Sequence, residues 1–309
     1  MKILNKLMSG ALLATTAVLS AQNCCPSQMD CDPCCDWFSD CEFSVYGEYL
    51  YWDLCRSTTD VATVTNPLGI TQNLNFQGSY QSGYRVGGTF ATGCWDFEIR
   101  YASIDSKKSI TSEVSGGFYQ AEQKIDYSVL DIQLGREISL NCFSGSLTPF
   151  IGVKCAWIDQ TWDATLTNTI KYRGKIDYNA YGVALGTNFN WQICSKCVPI
   201  SFVNRTSIAL LKGAFSPKDY VRTLNDVVTN ISVYDHSYSL CLVPEIYVGL
   251  DFDLFCCDCF TASAQVGYEA QYWSSLLFHQ NSIPATINSN LLQGSLGING
   301  LVARFQVGF

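Results

Sequence analysis

Hydrophobic and polar residues alternate along most of this chain, most sharply in Cys94–Tyr101. There Trp95, Phe97, Ile99 and Tyr101 take one face of an extended segment while Asp96, Glu98 and Arg100 take the other, a period of two that an amphipathic helix does not show. Tyr181, Val183, Leu185, Thr187, Phe189 and Trp191 repeat it opposite Gly182, Ala184, Gly186, Asn188 and Asn190. So do Leu240, Leu242, Ile246, Val248, Leu250 and Phe252, opposite Cys241, Glu245, Gly249 and Asp251. The last nine residues close the chain in the same way, with Leu301, Ala303, Phe305, Val307 and Phe309 on one face and Val302, Arg304, Gln306 and Gly308 on the other. Read along the chain, the pattern predicts ten strands, at about 43–54, 80–91, 94–104, 121–137, 146–159, 174–192, 200–212, 233–254, 260–273 and 292–309.

The connections between these spans alternate in length. Long links at 55–79, 105–120, 160–173, 213–232 and 274–291 are separated by shorter ones at 92–93, 138–145, 193–199 and 255–259. Short turns on one side and long loops on the other are the asymmetry of an outer-membrane barrel. In water the apolar faces would have to pair into a sandwich core, whereas in lipid they face outward with Trp and Tyr near the strand ends. The expected fold is therefore all-β: a transmembrane antiparallel up-and-down β-barrel of about ten strands, or twelve if 55–79 or 213–232 hides two more. Val61 to Phe76 reads instead as a polar extracellular hairpin around Asn66-Pro67-Leu68-Gly69. An even count places both termini on the short-turn, periplasmic side.

Composition narrows this further. Hydrophobic residues make up 48% of the chain, yet after the first twenty residues no run is long and apolar enough for a helical span. Residues 1–21 read as a cleaved signal peptide, with Lys2 and Lys6 ahead of the apolar run Leu7 to Leu19 and cleavage near Ala21. Gln22 and Asn23 separate that site from Cys24, so no lipid anchor is expected. Residues 22–42 form a cysteine-rich periplasmic leader, and 43–309 the barrel. A net charge of −8 argues against nucleic acid as a partner. The expected partners are outer-membrane lipid and the barrel-assembly machinery, to which Phe305, Val307 and the terminal Phe309 would present the assembly signal.

There are sixteen cysteines, and their positions matter more than their number. Cys24, Cys25, Cys31, Cys34, Cys35 and Cys41 lie in the leader, Cys94 and Cys142 at the first two short turns, Cys194 and Cys197 at the third, and Cys256, Cys257 and Cys259 at the fourth. All of these fall on the expected periplasmic rim, as disulfide candidates in an oxidising compartment. Cys55, Cys155 and Cys241 do not. The two-residue spacings Cys31–Cys34 and Cys194–Cys197 could suit zinc or redox chemistry, but neither opens a helix after a strand, so neither metal nor redox catalysis is expected.

The sequence resembles the major outer membrane protein family of Legionella-type and chlamydia-type bacteria. The likeness is carried by Gly47-Glu-Tyr-Leu-Tyr-Trp52, Ser82-Gly-Tyr-Arg-Val-Gly87, Pro149-Phe-Ile-Gly-Val-Lys154, Gly267-Tyr-Glu-Ala-Gln-Tyr-Trp273 and the closing strand. The cysteine load is closer to the chlamydial branch, whose outer envelope is held by a disulfide-linked protein layer. The resemblance implies porin-like or structural duty in the outer membrane with surface-exposed loops, and disulfide-linked self-association or linkage to other cysteine-rich envelope proteins.

Strand parity turns Glu48, Arg85, Asp96, Glu98, Arg100, Lys154, Arg205, Glu245, Glu269 and Arg304 into the lumen. Ten strands give a bore little wider than the roughly eight-stranded case that side chains fill, while wide aqueous channels need about sixteen. The leading expectation is a narrow porin for passive diffusion of small solutes, its periplasmic rim stiffened by disulfides. The alternative is a closed structural or adhesin barrel whose long loops contact host or neighbouring surfaces. Catalysis is not expected: the only histidines are His236 and His279, and Asp235 beside His236 would point to the opposite face of a strand. No cofactor is implied.

Overall fold

The computed structural model describes residues 41–56, 62–65, 71–74, 76, 78–114, 117–140, 144–166, 170–194, 199–223, 228–233, 237–257, 260–282 and 288–309. The described strands are β1 (Cys41–Arg56), β2 (Ala62–Thr65), β3 (Thr71–Leu74), β4 (Tyr80–Thr92), β5 (Trp95–Val114), β6 (Gly117–Arg136) and β7 (Ile138–Leu140). They continue with β8 (Gly145–Leu166), β9 (Ile170–Cys194), β10 (Ile200–Thr223), β11 (Val228–Val233), β12 (Ser237–Cys257), β13 (Phe260–Ser282) and β14 (Asn288–Gly308). Following the hydrogen bonds from β1 through β4, β5, β6, β8, β9, β10, β12, β13 and β14 leads back to β1, a closed ring of ten antiparallel strands. Closure leaves no sheet edge exposed to lipid. The seam between β1 and β14 runs in continuous register from Ser44↔Gly308 to Arg56↔Leu296, and Phe43 and Phe309 exchange backbone hydrogen bonds at its end. The hairpin expected around Asn66 is present as β2 paired with β3, docked on β13 through Asn281↔Ala62.

Both termini of the barrel lie at one end, called the terminal end here. The turn between β4 and β5 is tight because Gly93 adopts φ +56°, a conformation that costs glycine little. At the far end the expected long loops are corrected. Residues 105–114 and 117–120 are strand, as are 160–166, 170–173, 213–223, 228–232, 274–282 and 288–291. Crossing a bilayer takes about 9–11 strand residues, and β8, β9 and β10 have 22, 25 and 24. Half of each strand therefore stands clear of the lipid.

The outward face shows where that boundary falls. On β5 the outward residues run Trp95, Phe97, Ile99 and Tyr101, then Ser103, Asp105 and Lys107; on β8 they run Ile151, Val153, Cys155 and Trp157, then Asp159, Thr161 and Asp163. Large apolar groups such as Val183 and Leu185 are more than half exposed there, a cost in water of about 25 cal/mol per Å² that lipid removes. Trp95 and Trp191 border the band toward the terminal end, and Tyr84, Trp157 and Tyr181 border it toward the far end, as interfacial aromatics do.

The inward face inverts at the same level. Within the band it is polar, with Arg85, Arg100, Asp131 and Lys154 buried; beyond it Ile104, Ile125, Ile158, Ile176 and Leu211 are buried beneath the charged outer surface. The protein is thus a barrel with a greasy exterior and charged lumen that continues as one with a charged exterior and apolar core.

Candidate functional site

The lumen has three storeys, each set by strand parity. At the terminal end lies an open vestibule of about 820 Å³. Its walls carry the acids Asp96, Glu137 and Asp251 beside Phe150, and Glu98, Arg205 and Arg304 lie deeper.

Above the vestibule a network of buried charges crosses the bore. Arg85 donates through Nη1 to Glu48 Oε2 at 2.6 Å and through Nη2 to Glu269 Oε1 at 2.9 Å, joining strands on both sides of the seam. Lys154 Nζ sits 2.8 Å from both Asp131 Oδ1 and Glu245 Oε1, while Arg100 Nε donates to Asp131 Oδ2 at 2.9 Å. These groups are almost wholly buried, Lys154 to within 2%, so each charge depends on its partners rather than on water. Neutral groups complete the shell: Tyr46 donates to Glu98 at 2.5 Å, Gln271 to Glu269 at 2.7 Å and Ser207 to Glu245 at 3.2 Å. Two pairs nearer the vestibule are looser, Arg205–Glu98 and Arg304–Glu48, both at 3.7 Å. The Arg304 guanidinium also covers the Tyr46 ring at 3.5 Å. Tyr46 can lie there because its neighbour Gly87 is bare: a Cβ at that position would meet the phenol ring at 2.5 Å.

The third storey is apolar. Tyr127 meets Trp52 and Trp273 edge to face, with ring centroids at 6.4 and 5.6 Å. Tyr178 stacks on Phe215 at 4.4 Å over Gly213, another position with no room for a Cβ. Trp52, Trp273, Leu50, Leu211, Leu276 and Leu296 are fully buried between them. Polar tips tie this storey to the charges: the Tyr127 hydroxyl and the Trp273 indole N–H both donate to Gln271 Oε1, at 2.9 and 3.2 Å. The far half of the interior is mostly a hydrophobic core, because outside the lipid a strand must hide its apolar face inward, with the Lys108–Asp53 pair at 2.8 Å and the buried Gln123 and Gln160 set among the apolar groups.

The ten charges assigned to the lumen from sequence divide by level. Glu48, Arg85, Glu98, Arg100, Lys154, Glu245 and Glu269 are buried in the network or at its edge, while Asp96, Arg205 and Arg304 are part-exposed in the vestibule. Asp131 was missed, although it stands between Leu130 and Ile132 on the inward face and is the shared partner of Arg100 and Lys154. Its parity with Val129 and Gln133 would have found it. Of the closing-strand signal residues, Phe305 and Phe309 are exposed on the outer face.

Among the described residues Cys55, Cys155 and Cys241 are free, the same three that sequence left off the rim, whereas Cys94 at the β4–β5 turn is disulfide-bonded. Cys41, Cys194, Cys256 and Cys257 fall within strands at the terminal end, and their side chains are not among those described. Cys24, Cys25, Cys31, Cys34, Cys35, Cys142, Cys197 and Cys259 lie outside the described residues, as do Asp235 and His236. His279 falls on β13 opposite Leu291.

Comparison with solved structures finds low-identity likenesses. The outer membrane protease OmpT from Escherichia coli aligns at 6% identity over 88% of this chain and 96% of its own, with a TM-score of 0.41. The translocator domain of the autotransporter NalP from Neisseria meningitidis aligns at 12% identity over 98% of each chain, also at 0.41. A FadL homologue from Pseudomonas aeruginosa aligns at 7% identity over 88% and 90%, at 0.29. No curated protein matches the sequence. Residues 39–308, the whole barrel, match the family described as Legionella pneumophila major outer membrane protein precursor. This chain, whose ten long strands close into a barrel around a buried charge network, belongs to that outer membrane protein family.

Proposed function

We propose that this outer-membrane barrel is closed at rest and serves the envelope as a structural and surface-presenting protein rather than as an open channel. One observation carries the reading: above the charged network the bore is filled by Trp52, Tyr127, Trp273 and the apolar groups packed on them. A solute passing through would have to open a hydrophobic core, not merely displace water. Proteoliposomes of the folded protein are expected to keep small sugars and amino acids out in swelling assays. Swelling at rates that fall with solute size would overturn the proposal.

The terminal end, with its short turns, is read as periplasmic and the far end as extracellular. The positions of Cys94 and of the other terminal-end cysteines support disulfides that stiffen the periplasmic rim or join it to other chains. Non-reducing gels are expected to show oligomers that collapse with thiol; monomers under both conditions would count against linkage between chains. A signal peptide over 1–21, a leader over 22–42 and an assembly signal ending at Phe309 complete the proposal.

A second reading, a narrow porin, is favoured by the vestibule itself. A polar chamber of about 820 Å³ occupies one end of the bore and would form half of a pore if the plug above it parted.

A further inference from the structure

Two charged rows cross the outer surface of β5, β6, β8 and β9 just beyond the lipid band. In cross-strand register, Asp105, Asp126, Asp159 and Asp177 stand side by side, each opposite the next. One pleat farther out, Lys107, Lys124, Thr161 and Lys175 form a parallel row. Lysines and aspartates link along and across the rows: Lys124 with Asp126 at 2.8 Å, and Lys175 with Asp177 at 2.7 Å and with Asp159 at 3.7 Å. The lysines nevertheless stay open, their side chains 64%, 48% and 46% exposed for Lys107, Lys124 and Lys175.

We propose that this face binds the phosphate-bearing head groups of an outer-leaflet glycolipid, together with the divalent cations that bridge them. The proposal rests on the reading that the far end is extracellular. Depth is the first reason. The lysine row lies six positions from Tyr101, Leu130 and Tyr181 on β5, β6 and β9 and four from Trp157 on β8, which is roughly 10–15 Å along the membrane normal for a strand rising ~3.3 Å per residue at a tilt of about 40°. A phospholipid head-group layer is only about 5–7 Å deep on each side, so this level is filled only by a lipid carrying sugars. Charge is the second. Like charges directly opposite one another destabilise a sheet, and the three lysines, one of them paired with Glu122, offset the four aspartates only in part, so a further cation would ease the row. A layer of phosphates bridged by divalent cations presents both signs, phosphate for the lysines and metal for the aspartates. Continuity is the third, since the rows follow directly on the surface that lipid already covers.

The experiment uses the full-length folded protein in zwitterionic detergent, where both ends are open and a mistake about sidedness cannot produce a negative result. Diphosphoryl lipid A with Mg²⁺ is expected to raise the midpoint of thermal unfolding by several degrees, and dephosphorylated lipid A is not. In K107Q/K124Q/K175Q the rise should fall by at least half; in D126N/D159N/D177N its dependence on Mg²⁺ should disappear. Retention of native gel mobility before heating shows that each variant folds, and the contrast between the two lipids on the unaltered protein is decisive on its own. No rise with diphosphoryl lipid A, an equal rise with the dephosphorylated lipid, or an undiminished rise in the lysine variant would overturn the proposal. Mg²⁺ dependence persisting in the aspartate variant would overturn its cation half.

Discussion

Lys154 and Lys107 are both lysines in ion pairs, and they are expected to behave in opposite ways. Lys154 is buried and holds Asp131 and Glu245 together. Lys154→Met would leave Arg100 as the one cation beside both buried carboxylates and is expected to cost about 3–5 kcal/mol. Lys107→Gln removes an exposed pair with Glu122 and should cost less than about 1 kcal/mol. Urea unfolding of the two variants in the same vesicles checks the difference, and similar losses would mean that the network is wetter than described. Asp159, two positions beyond Trp157 and so outside the lipid, offers a test by pH. Burial raises its carboxyl above the usual carboxylate range, with Asp177 and Asp126 adding to the rise and Lys175 opposing it. A carboxyl that holds its proton more tightly folded than unfolded loses stability for the protein as pH climbs from the unfolded value through the raised one. Asp159→Asn is therefore expected to gain on the wild type across that window, and parallel pH profiles would contradict it. The charges of the network were legible from parity alone because in the lipid-embedded half an inward charge has apolar neighbours on either side. Their partners were not: Arg85 and Glu269 are 184 residues apart, and their hydrogen bonds exist only because the ring closes.

The strands themselves were readable where lipid sets the contrast. The barrel spans stand out where large apolar residues alternate with charged or small ones, as at Trp95–Tyr101 and Ile151–Trp157. The far halves were not, because the sign of the alternation reverses there. In Gln160–Thr165, a stretch expected to be loop, the inward Gln160, Trp162 and Ala164 are buried and the outward Thr161, Asp163 and Thr165 are part-exposed, which in sequence resembles a polar loop with stray hydrophobics. A lysine scan along the outward positions of β8 would locate the reversal. Val153→Lys, within the band, is expected to cost about 2–4 kcal/mol, and Thr161→Lys, eight positions on, to cost no more than about 1 kcal/mol even with Lys124 and Lys175 opposite it. On the inner face the order of sensitivity changes: Ile158→Ala, at a fully buried site, is expected to cost about 2–5 kcal/mol. A flat profile along the outer face would show that the band does not end at Trp157.

As a whole the molecule joins two solutions to the same problem, one for each solvent. Within the lipid the sheet closes on a charged interior; beyond it the same strands close on an apolar one, and the second seals the first. A narrow bore could be anticipated from ten strands, but the seal could not, since it is assembled from single residues such as Trp52, Tyr127 and Trp273 contributed by separate strands. Truncating the seal should open what the wild type closes. Single-channel recording in planar bilayers, comparing the unaltered protein with Trp52→Ala/Trp273→Ala, tests this. The folded wild type should pass no steady current and the double variant should conduct in discrete steps; steady conductance from the wild type, undiminished relative to the variant, would contradict a closed lumen.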